Sequence, residues 1–317
     1  MKSRGPLLLL TAAMIAGLGA CGAGSGSAQA PEAGPTAGSR VLVAPTAGSR
    51  ASVAPAGGSR VFVLVMENRE YDQVIGSAAA PYLNHLASRR ALATRYFAIT
   101  HPSLPNYLAI LGGSTFGISN DCTDCEARGA SLATQLSGAG IGWRAYMEGM
   151  PSPCFGDPYS GGYAKKHNPF AYFPEITSDP GLCKRIVPGR RLAADLGRET
   201  IAPFSWITPD LCNDAHDCSI SVGDAYLRRL VPRLLRHLGP HGLLAITFDE
   251  GTSSAGCCGN AYGGKVATIL AGPDVRRNAR LGKAYTHYSL LRTIEDHFGL
   301  GHLRAAASAR PMRAAFR

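Results

Sequence analysis

Runs of apolar residues that stop at an acidic or histidine-bearing cluster recur along this chain, and they restrict it to few folds. Val61-Phe62-Val63-Leu64-Val65 leads into Glu67-Asn68. Phe204-Ser205-Trp206-Ile207 leads into Asp210, with Asp214 and His216 close behind, and residues 243–248 lead into Asp249-Glu250. A fourth apolar run, 266–271, is followed by a loop and then His287. A short continuous apolar run is the mark of a strand buried on both faces. In an open parallel sheet, residues just past the carboxyl ends of such strands converge on one crevice. Positions more than two hundred residues apart can therefore meet in one site, and most of these residues are metal ligands by type.

Helix-like segments alternate with the strands. The strand 61–65 is followed by helical patterns over 81–92, with Pro81 in the first turn, and from about 104 to Gly112-Gly113. Residues 131–136 read as helix and 143–147 as strand. A long amphipathic helix is expected over 221–238, with Pro232 placed to kink it, and another over 287–298, stopped by Gly299. Alternation of this kind predicts an α/β fold, a mainly parallel sheet with helices on both faces. Residues 149–190 are rich in Gly, Pro and Tyr without a clear period. They read as an ordered insertion over the strand ends.

The ends of the chain have another character. Lys2 and Arg4 precede an apolar stretch, 7–20, too short for the roughly 20 residues of a stable membrane span, and this is the pattern of a secretory signal. Leu18-Gly19-Ala20 before Cys21 resembles the lipobox of bacterial lipoproteins, so Cys21 is expected to carry a lipid anchor; the plainer alternative is ordinary signal cleavage. Gly, Ala, Ser and Pro dominate up to residue 58, with a period of ten in Gly-Ser-Arg, which makes a tether rather than a core. The expected organisation is a signal at 1–20, a tether at 21–58, a catalytic domain at 59–302 and a basic tail at 303–317. An exported protein, held on the outer membrane face or secreted, follows.

Of nine cysteines, the eight after Cys21 form an even set, which in an exported chain predicts disulfides. The alternative for Cys122 and Cys125 is a redox or zinc motif. Cys122 with Cys125 and Cys212 with Cys218 are expected as local pairs, while the neighbours Cys257 and Cys258 are each expected to bond elsewhere. The formal charge of +10 favours anionic partners, although the arginines at 228, 229, 233 and 236 fit a solvated helix face equally well. No aromatic-basic interleaving of the nucleic-acid kind is present, so no nucleic-acid partner is expected; a monomer is.

The sharpest local motif is Thr100-His101-Pro102-Ser103-Leu104-Pro105-Asn106-Tyr107. Ser103 precedes a helical run, where free N–H groups favour an anion. Serine is also a common helix cap. A nucleophilic role gains weight because Glu67, Asp249 and Glu250 could hold a metal that lowers the hydroxyl's pKa. No Gly-x-Ser-x-Gly elbow surrounds Ser103, which argues against a Ser-His-Asp hydrolase.

Six segments together resemble the bacterial phosphoesterase family of acid phosphatases and phospholipases C, within the alkaline phosphatase superfamily. They are Met66-Glu67-Asn68, His101-Pro-Ser-Leu-Pro-Asn-Tyr107, Lys166-His167-Asn168-Pro169, Pro209-Asp210 through His216-Asp217, Thr247-Phe248-Asp249-Glu250-Gly251, and the stretch from Thr286-His287 to Glu295, in the family's order. The resemblance implies a three-layer α/β/α, alkaline-phosphatase-like fold. It also implies a divalent metal ion, one or two, bound by Glu67, Asn68, Ser103, Asp249 and Glu250. Ser103 would form a phosphoseryl intermediate, with His167, Asp210, His216 and His287 around the phosphoryl group. Whether Asp210, His216 and His287 hold a second metal is left open; that set suits zinc, and the oxygen-rich set a hard cation.

Serine at 103, where the phospholipases usually carry threonine, and the compact length favour a phosphomonoesterase of the small secreted acid phosphatase type, acting on a phosphorylated small molecule or a phospholipid headgroup. The alternatives are a phospholipase C-type phosphodiesterase and a non-catalytic lipoprotein that captures phosphorylated ligands. His216 and His287 could each be structural, and His85, His237, His241, His297 and His302 are assigned no role.

Overall fold

The computed structural model describes residues 58–317; the signal, Cys21 and nearly all of the tether inferred above lie outside them. At its centre is an eight-stranded sheet. In chain order the strands are β1 (Val61–Met66), β2 (Ala91–Ala93), β3 (Trp143–Met147), β4 (Ile186–Pro188), β5 (Phe204–Thr208), β6 (Leu243–Phe248), β7 (Thr268–Ala271) and β8 (Arg280–Leu281). Their spatial order is β8-β2-β7-β6-β1-β5-β3-β4. Every residue of β1 and β6 is buried, as expected of runs covered on both faces. β1 lies parallel to β6, with Val61 opposite Leu243 and Met66 opposite Phe248, and parallel to β5 on its other side. That register sets Glu67 and Asp249 at the same level on neighbouring strands.

The principal helices are α1 (Pro81–Arg89), α2 (Ser103–Gly112), α3 (Leu132–Gly138), α4 (Arg190–Gly197), α5 (Ile220–Arg236) and α6 (His287–Phe298). They flank the sheet, with α1 packed on α5 and α2 on α6. The carboxylate of Asp224 on α5 accepts from Tyr82 N and Leu83 N and so caps α1. All of α2 is buried, as suits a largely apolar helix, and its Asn106 is satisfied by the backbone of Ile99, Thr100 and Pro102. Gly113 ends α2 at φ 71°, and a Cβ there would lie 2.5 Å from the Leu303 carbonyl oxygen. α5 continues through Pro232 to Arg236. No helix among the described residues is long and apolar enough to cross a membrane.

Several details differ from the sequence reading. β7 is antiparallel to both β6 and β2, so the run at 266–271 does not deliver His287 from its carboxyl end. The chain returns through β8 and a short strand, Tyr285–Thr286, before α6 begins at His287. The insertion at 149–190 contributes the edge strand β4 as well as a hairpin, Tyr159–Ser160 with Tyr163–Ala164. Residues 303–317 fold back on the domain rather than trailing from it: Ala306, Met312 and Ala315 are buried, and Met312 N donates to Thr293 Oγ1.

The disulfides are Cys122–Cys125, Cys154–Cys183, Cys212–Cys218 and Cys257–Cys258. The last corrects the expectation of separate partners. Cys258 has a positive φ of 65°, and Cys257 is bridged to Ala261, so the chain turns tightly enough there for neighbours to join.

Candidate active site

Three central strands end side by side, and each delivers an acid. Glu67 follows β1, Asp249-Glu250 follow β6, and the turn after β5 carries Asp214. Glu67 N donates to Asp214 O at 2.9 Å, Asp249 N to Met66 O at 2.9 Å, and Asn68 N to Asp249 Oδ1 at 3.0 Å. Backbone bonds therefore fix the acids against one another. Asn68 takes a positive φ of 42°, which asparagine tolerates better than most residues.

Ser103 is the first residue of α2; Pro102 holds the cap position and has no side-chain acceptor for that end. The serine hydroxyl turns to the acids instead, 3.1 Å from Glu67 Oε2 and 3.4 Å from Glu250 Oε1. Tyr107, one turn further along α2, donates its hydroxyl to Glu67 Oε1. The ring of Tyr107 stacks on His167 at 5.4 Å between centroids. His167 stands between two carboxylates, with Nε2 3.3 Å from Glu67 Oε2 and Nδ1 3.3 Å from Asp214 Oδ2. Lys166, the preceding residue, pairs with Asp121 Oδ2 at 3.0 Å and reaches to 3.4 Å from His216 Nε2. The other oxygen of Asp121 accepts from Leu104 N at the start of α2. His216 is oriented by Asp217 Oδ1, 2.7 Å from its Nδ1.

So many acids in one buried place disturb each other's ionisation. Burial, then the charges of Asp249 and Asp214, hold Glu67 well above the usual carboxylate range. Burial likewise raises Asp249, pushes Asp214 up to about 8, and with the Asp249 charge pushes Glu250 up to about 7. His101 Nδ1, 2.5 Å from Glu250 Oε2, works against that rise. Burial, then the neighbouring Lys166 and His216, drive His167 far below its ordinary value.

The arrangement suits a cation. Asn68 Oδ1, Asp214 Oδ2, Asp249 Oδ2 and His167 Nε2 are buried without a hydrogen-bond partner. Glu67, His167 and His216 each offer an atom within 4.8 Å of the others, the one such trio among the described residues. Buried, unpaired acceptors beside clustered carboxylates are costly unless something positive satisfies them.

Of the residues singled out in the sequence, Glu67, Ser103, Asp249 and Glu250 meet, with His167 and His216 on the adjoining side. Asp210 and His287 have other engagements. Asp210 Oδ1 accepts from Cys212 N and Asn213 N and so closes its own turn. His287 is fully buried; its Nε2 lies 2.5 Å from Asp249 O and its Nδ1 3.1 Å from Tyr96 Oη. It therefore braces Asp249 from behind, and burial pulls its pKa down to about 4. Asp214 belongs to the acidic clusters read from the sequence, and Tyr107 and Lys166 to its family-like segments, each without an assigned role; Asp121 carries no signal there. Asp214 had a signal, its place two residues before His216.

Residues 77–301 match the Phosphoesterase family. The chain belongs to the Phosphoesterase family. Apart from Glu67 and Asn68, every residue of the cluster lies inside the matched span. Two relatives are an acid phosphatase from Aspergillus fumigatus and a phosphatidylinositol-3-phosphatase from Mycobacterium tuberculosis. The first is 32% identical over 256 residues, covering 76% of this chain and 55% of the relative. The second is 30% identical over 256 residues, covering 80% and 81%. The chain thus spans little more than half the length of the fungal relatives it matches. Among solved structures, an alkaline phosphatase superfamily protein from Vibrio parahaemolyticus superimposes with a TM-score of 0.54 at 11% identity, covering 81% of this chain and 71% of that one. The lipoteichoic acid synthase LtaP of Listeria monocytogenes gives 0.55 at 8% identity, covering 80% and 76%. These likenesses show that this Phosphoesterase family member has the α/β fold of that superfamily, a mixed, mostly parallel sheet flanked by helices.

Proposed function

We propose that the chain is an exported, metal-dependent phosphomonoesterase with Ser103 as its nucleophile. One observation carries the reading: the Ser103 hydroxyl begins a buried helix and is hydrogen-bonded to Glu67 and Glu250 rather than to the helix end. The activities named for the relatives support a phosphatase, and the M. tuberculosis relative adds phosphoinositide headgroups to the candidate substrates. Four disulfides suit an oxidising compartment, and the lipid anchor at Cys21 remains part of the proposal.

In this reading Ser103 Oγ attacks phosphorus and passes its proton to Glu67 Oε2, its hydrogen-bond partner. The Oγ–P bond forms as the bond to the leaving oxygen breaks. His216, held through Nδ1 by Asp217, presents Nε2 to the site and protonates that oxygen. Lys166, steadied by Asp121, neutralises phosphoryl charge. A water deprotonated by His216 then attacks the phosphoserine, releasing phosphate and restoring the hydroxyl with the proton from Glu67. Glu67, Asn68, Asp249, Glu250 and Ser103 would hold one divalent cation, and Asp214 and His167 could share it, while His216 Nε2 stays outside the set as the acid–base group. When bound, the cation supplies charge neutralisation and Lewis-acid polarisation of the serine and phosphoryl oxygens.

The test is hydrolysis of p-nitrophenyl phosphate before and after chelation, beside a choline phosphodiester. Turnover of the monoester that falls on chelation is expected. Turnover of the diester alone would favour a phospholipase, and binding without turnover a capture protein.

A further inference from the structure

A cavity of about 570 Å³ lies away from the cluster just described, farther along the same edge of the sheet. Its walls are the residues after β3, the junction of β4 with α4, and one face of α5. Glu148, Arg190, Asn213, Tyr226, Arg229 and Arg233 supply its polar lining. Arg229 and Arg233 stand one helical turn apart and repel each other. Neither has a side-chain hydrogen bond or an acidic partner among the described residues. Arg190 is held at the rim by a bond from Nη2 to Pro151 O at 3.0 Å.

Glu148 is the one acid in the lining, and it is already committed. Its Oε2 accepts from Asp210 N at 3.0 Å and from Asn213 Nδ2 at 3.1 Å, and Tyr226 also bonds to it. Three guanidinium groups against one carboxylate leave a formal balance of 3 − 1 = +2 in the lining, which matches a phosphate monoester dianion. Guanidinium forks suit phosphoryl oxygens in geometry as well as charge. Met150 and Leu230 give the cavity an apolar side, and its volume is that of an organic ligand rather than a bare ion. The turn at 210–214 divides it from the cluster: Asn213 faces Glu148, and the next residue, Asp214, faces His167.

We propose that this cavity is a second, non-catalytic site for a phosphorylated organic molecule, with Arg229, Arg233 and Arg190 around the phosphoryl group and the apolar side against its carbon body. Nothing in this depends on the phosphatase reading of the cluster. The ligand chemistry could come from a soluble phosphate ester or from a phospholipid headgroup.

The experiment titrates glycerol 3-phosphate into the full chain carrying Ser103→Ala, so that the probe is not consumed. Adding Arg229→Ala with Arg233→Ala is expected to weaken one class of binding at least tenfold, while adding Lys166→Ala leaves that class unchanged. Arg229→Lys with Arg233→Lys, which keeps charge but loses the forks, should fall between. In the chain with its native serine, the double alanine variant should hydrolyse p-nitrophenyl phosphate as before, because neither arginine touches the cluster. If no version turns over that substrate, the proposed function fails and the binding test stands. Flotation with phosphatidylcholine vesicles, with and without a phosphatidylinositol phosphate, separates the sources: arginine-dependent capture of the phosphoinositide vesicles assigns the headgroup, and arginine-dependent binding of the soluble ester alone assigns the ester. Glycerol 3-phosphate binding that survives the double alanine substitution at full strength, or no binding to the unsubstituted cavity of either probe, overturns the proposal.

Discussion

Ser103 Oγ donates to Glu67 Oε2 across 3.1 Å, joining the first residue of α2 to the residue that follows β1. Pro102 already occupies the cap position, so the hydroxyl does nothing for the helix end. Ser103→Ala should therefore leave the thermal midpoint within a few degrees of the parent and lower p-nitrophenyl phosphate turnover by several orders of magnitude, as loss of a covalent nucleophile does. A variant with more than a tenth of parent activity would return the serine to a structural role.

Lys166 is mostly buried and paired with Asp121, yet its ammonium also lies 3.4 Å from His216 Nε2. Lys166→Ala should raise KM and lower kcat together, by about a hundredfold in kcat/KM, the scale of losing one charge-stabilising donor. Lys166→Arg should recover part of this. An effect confined to thermal stability would make the lysine a strut between α2 and the insertion.

Acidity should stabilise the metal-free protein. Asp214 and Glu250 are pushed up to about 8 and about 7, well above their unfolded values near 4. A group raised in the folded state holds its proton there after the unfolded chain has lost it. Its contribution is complete below about pH 4 and disappears as pH rises to 7 or 8. Calorimetry of the chelated protein should show a midpoint several degrees lower at pH 8.5 than at pH 5, and added divalent cation should restore more at pH 8.5. A midpoint independent of pH would mean the acids are compensated some other way.

Cys154–Cys183 closes a loop with a sequence separation of 29, across much of the insertion. Replacing both cysteines with alanine should cost about 3–4 kcal/mol on the chain-entropy view. Denaturant unfolding measures it. A loss below about 1 kcal/mol would show that the insertion is held by its own packing, through Phe170, Tyr172 and Phe173, all buried.

Where the sequence spoke clearly, it did so through burial. β1 and β6 are apolar from end to end, so the strands and the acids after them could be read together. Residues 143–147 and 287–298 took the expected strand and helix with the expected bounds, the latter ended by Gly299 at φ 66°. Direction and contact were harder to see. Nothing within Thr268–Ala271 says which way that strand runs; its neighbours β2 and β6 decide it. Asp210 and Asp214 are alike as residues, but the turn closed by Cys212–Cys218 sends the first to its own backbone and the second to His167. For Arg229 and Arg233 the sequence left a solvated face and an anionic partner equally open, because the far wall of their cavity comes from residues 148–151 and 188–193, which helix periodicity does not register.

The acid cluster yields a prediction in which stability and activity part. Glu67 and Asp249 are fully buried and adjacent, with Asp214 close by and buried acceptors lacking partners on Asn68, Asp214 and Asp249. Like charges so confined repel, and each neutral replacement removes part of that repulsion. Glu67→Gln or Asp249→Asn should thus raise the thermal midpoint of the chelated protein at pH 8.5. If the cluster holds a cation, the same substitutions remove a charged ligand, so the rise in midpoint on adding divalent metal should shrink, and elemental analysis should find less metal per chain. Activity should fall at the same time and recover in part at high cation concentration. His287→Ala serves as the contrast: both ring nitrogens are already engaged, by Asp249 O and Tyr96 Oη, so it should destabilise the fold in either metal state while metal content changes less. Should the carboxylate variants lose stability in chelator and keep full metal content, the cluster would be a structural network and the cation reading would fall.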